Sequence, residues 1–382
     1  MPYSPPDRIS DVLAKKEYDL VEAIGQSVTE SFQRAIQANG RKPDEVRMFS
    51  SFFFLGLPVL ERRINYILRN DTITTTVCGI FCHQTPVVRY IPSVDKGTCE
   101  LSDITFIVTY GARLRDGGLG NAVMMQAKLT ESEIRKQKVQ TGLYQQGLRF
   151  HYTAIKTYGT EERLLPPKDS TALCFWDFCA NRLSYSPSYR FHNRTRCIHP
   201  LDLDKMNRYY ESFDKWLFEL LAGLKGRGFG KPSPGENAWS QILFDLLKVT
   251  CGKAAGQKNI YAQQAGRLRG KVAQDAIAKL LGKDCFLIKN SFDQIFAEFE
   301  DHQLQEDALK IEKNPDRYEL EELKEIGMKF DGSGEAEPPR VVLEMQDNPD
   351  SEGGTFVLIE IRDDNEHETV RHLPGRRRRI LG

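Results

Sequence analysis

The sequence lacks several features that would assign it to a familiar class. Its 382 residues have no excess of either charge, because 53 lysines and arginines stand against 53 aspartates and glutamates. The total charge therefore indicates no class of partner. No apolar run is long enough to cross a bilayer, and the most apolar one is interrupted by Gly56 and Pro58. Since the N-terminus also has no apolar segment typical of a secretory signal, we expect a soluble cytoplasmic protein without a membrane partner.

Metal-binding and catalytic signatures of common types are also missing. The eight cysteines form no CxxC pair, and most lie in apolar runs, which is typical of free buried thiols in a chain of this size. Cys78, Cys82 and His83 lie close together, but no second ligand pair at the usual spacing follows, so the sequence does not favour a structural zinc site. There is no Walker P-loop, GxSxG or HExxH element.

Hydrophobic periodicity predicts an α/β fold. Apolar residues at helical spacing alternate with short runs rich in β-branched residues, and Thr130-x-x-Glu133 is a capping-box pattern at a helix start. The predicted segments are helices over 10–38 and 51–70, strands over 72–82, 101–110 and 121–129, a helix from 130, and a strand over 172–179. From residue 51 the predicted order is helix, strand, strand, strand, helix, strand.

Two stretches rich in glycine, proline and small polar residues, 225–237 and 331–339, predict boundaries. Between them a basic segment, 248–283, precedes a mostly acidic one, 298–325. The tail contains two short apolar runs, 340–345 and 355–361, and then a basic run. The predicted units are an N-terminal helical segment (1–45), a core (46–230), a helical region that is basic and then acidic (231–330), and a C-terminal β-hairpin with a basic tail (331–382).

One constellation of polar residues indicates chemistry. Asp103 lies at the start of one predicted strand, and Gln126 and Lys128 lie near the end of the next, beyond a glycine-rich turn. Paired as a hairpin, the two strands would bring the three side chains together, with Gln126 and Lys128 on one face. Oxygen ligands of this kind suit Mg²⁺, and a nearby lysine can stabilise charge on a reacting phosphate. A strand-end salt bridge between Asp103 and Lys128 is the structural alternative.

The order of acid, glycine turn and QxK resembles the PD-(D/E)xK, or restriction-endonuclease-like, nuclease superfamily. The resemblance implies an α-β-β-β-α-β core with a mixed sheet, to which N-terminal helices and helical and small β C-terminal segments are added. It implies that Asp103 is the metal-binding acid, Gln126 the second ligand of the QxK variant, and Lys128 the catalytic lysine. Glu61, on the preceding helix, matches an extra acid that many members carry, and Glu100 is an alternative ligand.

A second element lies on the helix that follows. Gln140-x-x-x-Tyr144 resembles the QxxxY element of RecB-type and related defence nucleases. That resemblance implies that Gln140 and Tyr144 help to hold the nucleic acid and the active site. The similarity covers roughly residues 50–180. Gln126 departs from the usual pattern, because it supplies a neutral oxygen where most members supply a carboxylate, and the sequence leaves open whether Glu61 or Glu100 completes the metal site.

The resemblance implies an endonuclease that uses Mg²⁺ or Mn²⁺ and acts on DNA, with double-stranded DNA favoured. It also suggests an effector of bacterial anti-phage or anti-plasmid defence that is activated by a regulatory protein or by forming a homo-oligomer. The basic segment supplies candidates for contacts with the phosphate backbone, namely Lys253, Lys258, Arg267 and Arg269. The alternative is a catalytically silent nucleic-acid-binding or assembly subunit with a nuclease-like fold.

Overall fold

The structure is a computed structural model of the chain. It describes residues 1–37, 45–80, 87–91, 98–111, 118–146, 149–153, 161–167, 170–179, 195–203, 210–231, 238–255 and 355–365. Within these ranges no helix has both the length and the apolar character needed to cross a bilayer. Five cysteines in these ranges are buried free thiols, as the sequence predicted: Cys78, Cys99, Cys174, Cys179 and Cys197.

Helices form where apolar residues recur at helical spacing. They are α1 (Asp7–Lys15), α2 (Glu17–Gln37), α3 (Glu45–Ser51), α4 (Leu57–Leu68), α5 (Glu131–Lys136), α6 (Lys138–Gln146), α7 (Phe213–Leu221) and α8 (Ala238–Ala255). A π-helical stretch, Phe52–Gly56, joins α3 to α4, so helical structure begins at Glu45 rather than near residue 51.

The helix predicted from residue 130 is two helices that meet at Gln137. Thr130 is the N-cap residue of α5, but its side chain does not cap the helix, and its hydroxyl lies 3.0 Å from Ser132 Oγ instead. The predicted capping box is therefore absent, although the helix begins at the predicted position.

The strands fall into two sheets. They are β1 (Ile73–Ile80), β2 (Val87–Ile91), β3 (Thr98–Glu100), β4 (Ile104–Tyr110), β5 (Gly118–Lys128), β6 (Arg149–Tyr152), β7 (Arg163–Leu164), β8 (Leu173–Asp177), β9 (Arg196–Ile198), β10 (Glu211–Ser212), β11 (Arg227–Gly230) and β12 (Phe356–Asp363). The main sheet has the order β1-β12-β4-β5-β8-β9-β10, with β11 also pairing with β5, and the smaller sheet has the order β3-β2-β6-β7.

The main sheet is mixed, which confirms the α/β class. β4 is antiparallel to β5, β5 is parallel to β8, and β12 is parallel to β4. Apolar side chains of α1–α4 and α7 pack on one face, whereas those of α5, α6, α8 and the smaller sheet pack on the other. The sheet is thus the middle layer of three.

The C-terminal strand does not lie where the sequence placed it. β12 is a central strand, with β1 antiparallel on one side and β4 parallel on the other, so that Ile359 lies opposite both Val77 and Val108. Both of its edges are therefore occupied, and it does not form the predicted C-terminal hairpin. Its continuous apolar run is typical of a strand that is covered on both faces. Residues 340–345 and the basic tail lie outside the described residues.

Candidate functional site

The predicted β4–β5 hairpin is present and brings its polar residues together. The Asp103 backbone N–H donates to Met125 O at 2.9 Å, which places Asp103 beside Gln126, where β4 begins and β5 ends. The Asp103 carboxylate Oδ2 accepts from the Ala127 backbone N–H at 2.7 Å and from Lys128 Nζ at 3.1 Å. The strand pairing therefore fixes the carboxylate against the ammonium group, as the spacing predicted.

A residue that the sequence did not single out completes this cluster. Lys128 Nζ also donates to Glu45 Oε1, at 3.0 Å, and Glu45 is the first residue of α3. The sequence pattern placed Glu45 at the end of a loop, and an acid at a helix start is common because it complements the helix dipole. Nothing local therefore marked Glu45, since the contact joins residues 83 positions apart.

The acids around Lys128 perturb one another. Burial, and then the charge of Asp103, raise the pKa of Glu100 to about 9. Burial, and then Asp103, raise the pKa of Glu45 to about 7. Burial opposes the charged form of Lys128, but the charges of Asp103 and Glu45 outweigh it and raise its pKa. Closely spaced carboxylates with raised pKa values form an environment in which a further cation is favoured.

The Gln126 amide is only half satisfied. Its Nε2 donates to Glu100 O at 2.8 Å, which fixes the orientation of the amide. Its Oε1 is buried and accepts no hydrogen bond from the described residues. The nearby Tyr144 hydroxyl donates to Leu101 O at 2.8 Å instead. A buried acceptor without a donor costs about 1–3 kcal/mol, and a bound ion or water is the usual explanation.

Tyr144, on α6, supports residues 100–103, the acidic turn between β3 and β4. Its side chain is completely buried, and its ring centroid lies 5.3 Å from that of Phe175. The hydroxyl bond to Leu101 O restrains the backbone between Glu100 and Asp103. Gln140, one turn earlier on α6, is also buried. Tyr144 was predicted to help hold both the nucleic acid and the active site. Its buried ring cannot contact a substrate directly, so only support of the site remains possible.

Glu61 is not part of this cluster. Its Oε2 accepts from the Val77 backbone N–H of β1 at 3.0 Å, and Asn65, one helical turn later, bonds both backbone groups of Thr75, at 2.7 and 2.8 Å. β12 lies between β1 and β4, so these two strands are about 10 Å apart. The prediction that Glu61 shares a metal with Asp103 is therefore wrong for this structure. Glu61 and Asn65 instead cover the polar edge of β1.

The predicted basic contacts are mostly outside the described part of the chain. Lys253 belongs to α8, although its side chain is not described. The other three residues, Lys258, Arg267 and Arg269, lie outside the described residues. Contact between this segment and a phosphate backbone stays a prediction.

The oxygen donors where β4 begins and β5 ends are of the kind that a small divalent cation uses. The described residues contain no group of three or more His, Cys, Asp or Glu side chains that could hold a metal ion. The donors available here are the carboxylates of Glu100 and Asp103 and the amide oxygen of Gln126. Mg²⁺ is commonly bound through one or two carboxylates and retains several waters. The unsatisfied Gln126 oxygen and the adjacent carboxylates therefore suit Mg²⁺ or Mn²⁺.

Comparison of the chain with protein-family models, with curated proteins and with solved structures gave no match in any of the three. The function of the chain is therefore inferred from its own residues and their arrangement.

Proposed function

We propose that the chain is a metal-dependent endonuclease with a restriction-endonuclease-like core, which hydrolyses phosphodiester bonds of DNA, double-stranded DNA being favoured. One observation carries the proposal. The carboxylates of Glu100 and Asp103 and the Lys128 ammonium group lie together where β4 begins and β5 ends, and Gln126, which bonds Glu100 O, adds a buried amide oxygen without a partner among the described residues. Oxygen ligands beside a fixed cation are what metal-assisted phosphoryl chemistry requires.

The connectivity gives the proposal secondary support. When β2, β3, β6 and β7 of the smaller sheet are set aside, the order α4, β1, β4, β5, α5, α6, β8 is the order of the core that the resemblance implies. The antiparallel pairing of β4 with β5 and the parallel pairing of β5 with β8 agree with a mixed sheet of that kind. On this proposal, β12 is an additional strand placed between the first two core strands.

The side chains have distinct roles in the proposed reaction. Glu100, Asp103 and Gln126 would hold Mg²⁺ or Mn²⁺ through oxygen atoms. When bound, the cation supplies a water of lowered pKa and stabilises charge on the phosphate. Asp103 keeps Lys128 protonated at the site, where its ammonium group can orient the attacking water or stabilise the developing negative charge.

The wider role rests on resemblance alone. It suggests a cytoplasmic effector of bacterial anti-phage or anti-plasmid defence. A regulatory protein partner or homo-oligomerisation would bring it to full activity. The binding of DNA along the basic segment belongs to the same proposal.

A cleavage assay tests the proposal. The full-length chain is incubated with supercoiled plasmid and Mg²⁺ or Mn²⁺, beside Asp103→Ala, Lys128→Ala and the control Glu30→Gln. Glu30 lies on α2, and its carboxylate pairs with Arg63 of α4 at 2.8 Å, away from the cluster around Lys128. We expect nicking or linearisation by the parent and the control, and a loss of about 100-fold or more in the other two variants. Cleavage that survives both substitutions would contradict the proposed site.

A second candidate is a silent nucleic-acid-binding or assembly subunit. The observation that favours it is the neutral Gln126 at a ligand position, together with a Lys128 ammonium already engaged by two carboxylates. Such a subunit would bind duplex DNA in a salt-dependent manner, unaffected by EDTA, and would release no product.

A further inference from the structure

Lys128 is held by two carboxylates that belong to different parts of the molecule. Asp103 lies on the same hairpin as Lys128, whereas Glu45 comes from α3, which packs on one face of the sheet. The Asp103–Lys128 contact is therefore fixed by strand pairing. The Glu45–Lys128 contact instead depends on where the N-terminal end of α3 lies.

The three side chains differ in how far they are exposed to solvent. The Asp103 side chain is 7% exposed, that of Lys128 is 12% exposed, and that of Glu45 is 27% exposed. Glu45 is thus the most exposed of the three side chains, and its carboxylate lies 3.0 Å from the ammonium group. A phosphate that approaches Lys128 also approaches the Glu45 carboxylate, and like charge opposes that approach.

The donors of the ammonium group lead to the same conclusion. A lysine has three N–H donors, and two of them point to Asp103 and Glu45. Both contacts are charge-assisted, so they are stronger than neutral hydrogen bonds. A substrate phosphate gains a full contact with Lys128 only when one carboxylate withdraws, and Asp103 can withdraw only by also giving up the hydrogen bond from the Ala127 backbone N–H.

We propose that Glu45 is an inhibitory latch on Lys128, and that displacement of the start of α3 frees the lysine for a phosphate. The inference rests on the proposed nuclease function and assigns it a means of regulation. It also predicts the direction in which a substitution of Glu45 changes activity. If Glu45 restrains Lys128, its removal raises activity, whereas the removal of a residue that takes part in cleavage would lower it.

The test uses the full-length protein and compares Glu45→Gln with the parent. Glu45→Asp, which keeps the charge but shortens the side chain, is a second variant, and Glu30→Gln is the control for loss of another partly exposed ion pair. Acylation of Lys128 by an amine-reactive acetate ester is followed by peptide mass spectrometry, and this readout needs no nuclease activity. Plasmid cleavage with Mg²⁺ is measured in parallel.

We expect both Glu45 variants to acylate Lys128 roughly threefold faster or more, the size expected when one partly exposed ion pair is lost, with no change in the control. Plasmid cleavage by Glu45→Gln should rise by a similar factor. Unchanged acylation would overturn the latch, and so would faster acylation with slower cleavage. If neither the parent nor any variant cleaves DNA, the proposed function fails, while the acylation rates still decide whether Glu45 restrains Lys128.

Discussion

The Gln126 amide donates a hydrogen bond through its nitrogen, whereas its oxygen accepts none from the described residues. Nε2 bonds Glu100 O, whereas the buried Oε1 has no donor among the described residues. The side chain therefore joins the backbone of the acidic turn to an oxygen atom that has no donor among the described residues. At the scale of single residues, this division would let a neutral side chain act as a ligand in the proposed metal site, where a carboxylate is more usual.

The substitution Gln126→Glu separates the two functions of the amide. The introduced carboxylate would face Glu100 O without a hydrogen to donate, so we expect the free energy of unfolding in EDTA to fall by about 1–3 kcal/mol. A third carboxylate should also bind the cation more tightly, so Mn²⁺ should raise the Tm of the variant by more than that of the parent. Equal Mn²⁺-induced shifts in thermal denaturation would show that Gln126 is not a ligand.

Glu61 offers the complementary test, because it is an acid that the structure separates from the cluster. Glu61→Ala leaves the Val77 backbone N–H without this acceptor, so we expect a loss of about 1–3 kcal/mol in stability to urea. Mn²⁺ affinity should stay within about twofold of the parent, as is usual for distant sites. A large loss of Mn²⁺ affinity in a folded Glu61→Ala protein would restore Glu61 to the metal site.

Among the elements, the β4–β5 hairpin determines whether the site forms, and Gly120 is its tightest point. A Cβ at Gly120 would overlap the Val108 carbonyl oxygen of β4, and a backbone atom cannot move aside as a flexible side chain can. For Gly120→Ala we expect a loss of about 1–3 kcal/mol or more in the free energy of unfolding. Gly142 on α6 is the matched control, because a Cβ there meets no atom within 4 Å.

In that control, Gly142→Ala should stabilise the protein by up to about 1 kcal/mol, because alanine favours a helix over glycine. Both free energies come from urea denaturation followed by circular dichroism. If the two substitutions had the same effect, the close approach of β5 to β4 would not be a constraint on the hairpin.

At the scale of the whole molecule, β12 makes the C-terminal part of the sequence integral to the sheet. Leu358 is completely buried between β1 and β4, so Leu358→Ala should cost about 2–5 kcal/mol and lower the Tm of the main transition. Leu224, whose surface is 65% exposed, is the control, and Leu224→Ala should change stability by less than about 0.5 kcal/mol. A main transition that does not respond to Leu358→Ala would mean that β12 is a separate appendage.

The local sequence pattern was sufficient to predict much of the fold. The strands at Ile73–Ile80, Ile104–Tyr110 and Leu173–Asp177 were predicted within a few residues, because β-branched and apolar residues concentrate there. The hairpin that joins Asp103 to Lys128 followed from two such runs and a glycine-rich turn. These features depend on residues that are close together in the sequence. Hydrophobic periodicity and local composition carry information about such residues.

Features that depend on distant contacts were missed. The apolar run of β12 was recognised as a strand, but its partners β1 and β4 lie far away in the chain, and pairing between distant strands leaves no local signal. Glu45 was missed for the same reason. Glu61 was assigned to the site because an acid on the preceding helix fits the pattern, whereas in the structure Glu61 bonds β1, which β12 separates from β4.

Isothermal titration of the full-length parent with Mn²⁺, beside Asp103→Ala, shows whether the acidic turn and Gln126 hold a divalent cation. The measurement needs no DNA, partner or turnover. We expect the parent to bind Mn²⁺ and Asp103→Ala, with an unchanged circular dichroism spectrum, to bind at least about tenfold more weakly. No binding by the parent, or equal affinity in the two proteins, would contradict the proposed metal site and leave the hairpin with a purely structural salt bridge.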